Sequence, residues 1–160
     1  MKKKMTIAEL RGEIRYFMKE QYKNSLSAGV VVVKKDNVGW KYLALVKDTG
    51  EYDIPKGIRE EGESNIECAL RETYEESSIS LSENDFKWGM ISTGYGMGVA
   101  FIATTSQTPI IKPNPETGEI EHQSFKWVHF KDMIKNVQEF LKPAILWAEN
   151  IIVRSDNGNL

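Results

Sequence analysis

The stretch "SAGVVVV", in which Ala28 to Val33 is an unbroken apolar run around Gly29, limits this 160-residue chain more than any other segment. It is β-branched, short and apolar on both sides of a period-two repeat, so it reads as a buried central strand. "KKDNVG" then makes a turn and "WKYLALV" returns as a second strand, giving a hairpin. "KDTGEY" turns again, and the turn formers in "DIPKGIREEGE" predict a loop rather than a regular element. Further strands are expected at "FKWGMIST", "GVAFIATT" and "SFKWVHF", with "GYGMG" a flexible link and "PIIKPNPETGEIE" a long proline-bearing loop. Helices are expected near Asp132 to Asn136 and from about Pro143 to Val153, proline being tolerated in a first helical turn.

Before the central strand, Thr6 and Glu9 have the spacing of a capping box, and Ile7, Leu10, Ile14, Phe17 and Met18 recur at helical intervals. An amphipathic N-terminal helix is expected within residues 1–26, packed on a single domain over 27–154 or on a second copy in a homodimer. The opening lysines imitate a secretory signal, but glutamate and arginine interrupt what would be its apolar stretch. No run approaches the roughly 20 apolar residues that span a bilayer, so no membrane contact is expected. A net charge of −2 supplies no basic field for general nucleic-acid binding. The single cysteine, Cys68, cannot form an internal disulfide, which points to a reducing, cytoplasmic setting. With no basic partner nearby in sequence, Cys68 is not expected to be a catalytic thiol.

The chemistry lies in "RETYEES", Arg71 to Ser77. From Ser64 to Ser77, Ile66, Ala69, Leu70 and Thr73 follow i, i+3, i+4, i+7 spacing and form one core-facing stripe of a helix. Glu72, Glu75 and Glu76 share an i, i+3, i+4 relation on another side, where like charges cost some tenths of a kcal/mol each. They also occupy the last turn, where the helix dipole disfavours anions. Arg71 reaches Glu75 at i+4, but one guanidinium does not neutralise three carboxylates. A divalent cation does so better, and hard oxygen ligands suit Mg²⁺ or Mn²⁺; the competing reading is a solvated acidic face.

Upstream residues decide between these. Gly57, five residues, Glu63, seven residues, Arg71-Glu72, two positions and Glu75-Glu76 form "GIREEGESNIECALRETYEESSI", Gly57 to Ile79, which resembles the Nudix box. The family pattern has glycine where Ser78 stands and an aliphatic residue where Thr73 stands. The resemblance implies an α/β fold, an α/β/α sandwich around a mixed sheet, with the N-terminal helix as an addition. It also implies hydrolysis of a nucleoside diphosphate linked to another group. Glu72, Glu75 and Glu76 would bind the metal, Glu63 would assist directly or through water, Arg71 would orient a glutamate, and Gly57 would permit the tight loop beside them. A general base from outside the box is implied, for which Glu121 or Glu119 in "GEIEHQ" is available.

"YDIPKGIREEGES" and "EHQSFKWV" further resemble segments of the asymmetric dinucleoside tetraphosphate hydrolases, with Tyr52 in place of a tryptophan and Phe125 in place of a tyrosine. This implies a phosphate-binding role for Lys56, a phosphate donor in His122, and a base sandwiched between Tyr95 and Phe125. The expected substrate is a small nucleotide, foremost diadenosine tetraphosphate. ADP-ribose, nucleoside triphosphates, RNA 5′ ends and diphosphoinositol phosphates are alternatives, as is a nucleotide-binding module without catalysis.

Overall fold

In the computed structural model, which describes residues 5–13 and 25–158, the valine run forms the middle of strand β1 (Ser27–Lys35). Its side chains alternate between two cores: Val30 and Val32 enter one, Val31 and Val33 the other. Strand β2 (Trp40–Val46) pairs antiparallel with β1, placing Tyr42 opposite Val33. On the other side, β6 (Gly98–Thr104) runs parallel to β1, from Ser27 opposite Gly98 to Val33 opposite Thr104. The outer strands β3 (Tyr52–Asp53) and β5 (Ser92–Tyr95) complete the order β3-β2-β1-β6-β5. Strand β4 (Lys56–Ile58) pairs with β1, and β7 (Ser124–Val128) with β2.

Helix α2 (Asn65–Ser77) covers one face, burying Cys68 and Ala69 against Val30, Val32, Leu43 and Leu45. On the other face, α3 (Phe130–Asn136) and α4 (Lys142–Asp156) bring Met133, Ile145, Ala148 and Ile152 onto Val31, Val33 and Ala44. The result is the expected α/β/α sandwich around a mixed sheet. A helix α1, residues 7–13, precedes it. The Thr6 amide donates to Glu9 Oε2 at 2.8 Å and the Glu9 amide to Thr6 Oγ1 at 3.2 Å, the reciprocal bonds of a capping box. Ile7 and Leu10 are exposed, while Ile14, Phe17 and Met18 lie outside the described residues. No helix among the described residues is long and apolar enough to cross a membrane.

Three local expectations change. "DIPKGIREEGE" is not all loop, because β3 and β4 flank Pro55 and join the sheet. Strands of two and three residues are too short to show periodicity. Gly29 makes that join possible: a Cβ there would lie 2.4 Å from the Pro55 carbonyl oxygen and 2.5 Å from Lys56 Cβ. The glycine within the apolar run therefore admits the "PKG" segment against the central strand. "FKWGMIST" gives no strand before Ser92; a 3-10 turn at Glu83–Asp85 and Gly89 at φ 89° interrupt it. "GYGMG" is a tight hairpin turn between β5 and β6, with Gly96 at φ 45°.

Ser78 ends α2 in the left-handed region, φ 62°, and its amide donates to the Tyr74 carbonyl at 2.8 Å. This is where a glycine is expected, but the serine hydroxyl also donates to the Ile110 carbonyl at 2.8 Å. Ser78→Gly should therefore leave stability within about 0.5 kcal/mol, since relief of backbone strain offsets a lost exposed hydrogen bond. Ser78→Ala keeps the strain and loses the bond, and should cost about 1 kcal/mol in urea unfolding. Equal midpoints for alanine and wild type would show that the hydroxyl contributes nothing.

Candidate active site

The box loop is closed by Arg71. Its Nε and Nη2 donate to the two Glu63 oxygens at 2.7 and 2.9 Å, and Nη2 also reaches the Ile58 carbonyl at 3.0 Å. Nη1 donates to Glu72 at 2.7 Å and Glu75 at 3.2 Å. The guanidinium hydrogen bonds hold the Glu63 carboxyl down to about 2, and those carboxylates push the Arg71 pKa up. Glu63 is the box residue expected to assist the metal directly or through water. Both its oxygens accept from Arg71, and it does not line the acidic cavity formed by Glu72, Glu75, Glu76, Glu119, Glu121 and His122 with one lysine, Lys112. It holds the guanidinium that also donates to Glu72 and Glu75.

The helical carboxylates remain incompletely neutralised. Burial raises the Glu72 pKa, and Glu75 and Glu121 add to that although Arg71 opposes it. Glu76 is raised well above the ordinary range by burial, then by Glu121 and Asp53. One Glu76 oxygen accepts the Lys56 amide at 3.0 Å. Glu121, on the loop before β7, brings a fourth carboxylate to the cavity, with ligand atoms of Glu76, Glu121 and His122 within 4.8 Å of one another. Glu119 sits on the same wall. Clustered hard oxygen donors in a partly desolvated hollow fit a divalent cation such as Mg²⁺ or Mn²⁺. Gly57 faces them directly, since a Cβ at that position would lie 2.2 Å from the Glu72 carboxyl carbon.

Other expected contacts are placed differently. Lys56 Nζ is paired with Asp53 at 2.9 and 3.0 Å, its side chain 15% exposed beside the cavity. His122 is buried rather than free in a loop, with Nε2 2.9 Å from Asp53 Oδ2, so that nitrogen is already engaged. Asp53 was not singled out in the sequence; a lone acid at i−3 from the "PKG" lysine was its faint signal. Burial pushes its pKa up, but the His122 hydrogen bond and the Lys56 charge outweigh that and hold it low.

Tyr95 does not present a face to a ligand. It is buried, its hydroxyl 2.7 Å from Ser27 Oγ, with its ring packed where a Cβ on Gly98 would be 2.6 Å away. The accessible ring in that region is Phe140, 44% exposed, its centroid 6.1 Å from Tyr95 and 5.7 Å from Lys56 Nζ. Phe125, opposite Leu45 in β7, packs on the α2-side core instead of lining the cavity. Cys68 is buried and its thiol is pushed up to about 12 by burial, so it carries no thiolate.

Comparison with known proteins gives the chain's family and fold. The NUDIX domain family model matches residues 23–148. The asymmetrical bis(5′-nucleosyl)-tetraphosphatase of Sus scrofa is 28% identical over 128 residues, covering 68% of this chain and 84% of that protein. A Caenorhabditis elegans Ap4A hydrolase binary complex superposes with TM-score 0.63 at 21% identity, covering 79% of this chain and 98% of that one. The Escherichia coli dihydroneopterin triphosphate pyrophosphohydrolase superposes with TM-score 0.55 at 18% identity, covering 83% and 98%. At such identities the two superpositions speak for the fold alone, whereas the domain match spans most of the sequence and includes the whole Arg71-centred box: the chain belongs to the Nudix family of hydrolases.

Proposed function

We propose that this Nudix hydrolase is a Mg²⁺-dependent pyrophosphohydrolase that cleaves dinucleoside polyphosphates, foremost diadenosine tetraphosphate. The observation that carries the metal dependence is the convergence of Glu72, Glu75, Glu76, Glu119 and Glu121 on one cavity whose lining carries a single lysine, Lys112. The substrate rests on the similarity to asymmetrical bis(5′-nucleosyl)-tetraphosphatases and on an exposed aromatic ring, Phe140, beside the Lys56 ammonium. That pairing suits a base stacked next to a phosphate chain.

Bound Mg²⁺ would neutralise the polyphosphate and lower the pKa of water. Glu72, Glu75 and Glu76 would hold it, with Arg71 and the Lys56 amide fixing their oxygens. Glu121 would meet the same ion from the facing loop, and Glu119, which also lines the cavity, would take the proton as water attacks phosphorus and the bridging P–O bond breaks. Lys56 would add positive charge near the departing phosphate. ATP and AMP are the expected products of the tetraphosphate.

A product-resolved assay tests this with Mg²⁺ and with EDTA, on diadenosine tetraphosphate, ADP-ribose, triphosphates, diphosphoinositol phosphates and triphosphorylated RNA. Metal-dependent release of ATP plus AMP, faster than any other turnover, is expected. Preference for another compound would discard the substrate assignment, and no turnover of any would favour a nucleotide-binding module. If Phe140 stacks on a base, Phe140→Ala should raise KM by roughly 10-fold or more with kcat changed little. An unchanged KM would remove the ring from the substrate site.

A further inference from the structure

Asp53 is the most buried carboxylate among the described residues, 1% exposed. Its Oδ1 accepts from the Ile54 amide at 2.8 Å and Lys56 Nζ at 2.9 Å; its Oδ2 accepts from Lys56 Nζ at 3.0 Å and lies 2.9 Å from His122 Nε2. The two side-chain partners come from segments far apart in sequence: His122 lines the acidic cavity, and Lys56 lines the adjoining hollow beside Glu76. Lys56 is in β4, and its amide holds Glu76, whereas His122 directly follows Glu121. One enclosed carboxylate thus ties the strand that fixes Glu76 to the loop that carries Glu121. Glu76 and Glu121 repel each other, and the loop between Thr105 and Ser124 is long and carries three prolines, so Glu121 needs an anchor close by. A buried ion pair is in itself a weak source of stability, because desolvation offsets most of the attraction.

We infer that Asp53 is a positioning residue: through Lys56 and His122 it holds Glu121 opposite Glu76, so that both carboxylates meet one divalent cation. This rests on the metal-dependent reading above. Asp53→Asn preserves shape but loses the charge that pairs with Lys56 and puts a donor where Oδ2 accepts, so the bridge breaks at Lys56 and holds at His122 only if its tautomer switches and its ring signal moves. Mg²⁺ binding should be measured by titration calorimetry without substrate, alongside ¹H–¹⁵N spectra of the imidazole rings. The chain has two histidines, so His129→Gln identifies the His122 signals.

The expected result is a Mg²⁺ midpoint roughly 10- to 100-fold higher, as for other residues that orient metal ligands, with a displaced His122 ring signal. Partial misfolding would lower the binding amplitude and leave the midpoint in place. A folded Asp53→Asn variant with a midpoint within twofold of wild type would overturn the inference. Should that variant fail to fold, His122→Leu breaks the same tie from the loop side and should shift the midpoint equally. An unshifted midpoint there would also overturn it. Wild-type protein that binds no Mg²⁺ would instead remove the metal reading on which the inference rests, while an unmoved His122 signal in Asp53→Asn would refute the tie alone.

Discussion

Glu76→Gln is expected to lower kcat by about 10³-fold while the metal-free protein melts at the same temperature as wild type or higher. The two halves have one cause. Burial, with Glu121 and Asp53 nearby, raises the Glu76 pKa, so ionising it in the folded protein costs more than in the unfolded chain. For a carboxylate shifted upward, the folded state binds the proton more tightly. The destabilisation is therefore absent below the unfolded carboxyl pKa and grows as pH rises from there to the raised folded value. Melts in EDTA should show the glutamine variant gaining on wild type from acid toward neutral pH, and melts in Mg²⁺ should show the reverse, since only wild type keeps the ligand. Unchanged turnover would remove Glu76 from the metal site, and a variant that melts lower at every pH would contradict its electrostatic crowding.

Local periodicity makes the box carboxylates and the central strand legible in the sequence. The i, i+3, i+4 relation of Glu72, Glu75 and Glu76 depends only on helical geometry, and the two-sided burial of Val30 to Val33 only on strand geometry. What stayed hidden depends on distant parts of the chain. Asp53 and His122 meet across 69 positions, and neither residue carries a mark of the other. Tyr95 looks available in a glycine-rich turn, yet Gly98 leaves room for its ring to fold back, and Phe140, beyond β7 and α3, takes the exposed place beside it. Glu63 was legible as a box residue but not as the partner of Arg71, because two carboxylates at similar distances compete for one guanidinium and only the loop path decides.

Gly57→Ala is expected to reduce kcat by about 100-fold with little change in melting temperature, separating the position of a ligand from the stability of the fold. The backbone at Gly57 does not have a positive φ, and its pairing opposite Ala28 in β1 leaves the alanine main chain unstrained. The obstacle is space. A Cβ would meet the Glu72 carboxyl carbon at 2.2 Å and both its oxygens at 2.3 Å. These atoms are the end of a flexible side chain, so Glu72 swings away at modest cost instead of forcing β4 from the sheet. In moving it loses the 2.7 Å bond to Arg71 Nη1 and its place in the cation site. Because the methyl group acts through Glu72, the double variant Gly57→Ala, Glu72→Ala should be no slower than Glu72→Ala alone, a non-additivity that unrelated sites would not show. Full turnover in Gly57→Ala would mean that Glu72 does its work from elsewhere, and a collapsed melting temperature would place the glycine's role in the sheet and not in the metal site.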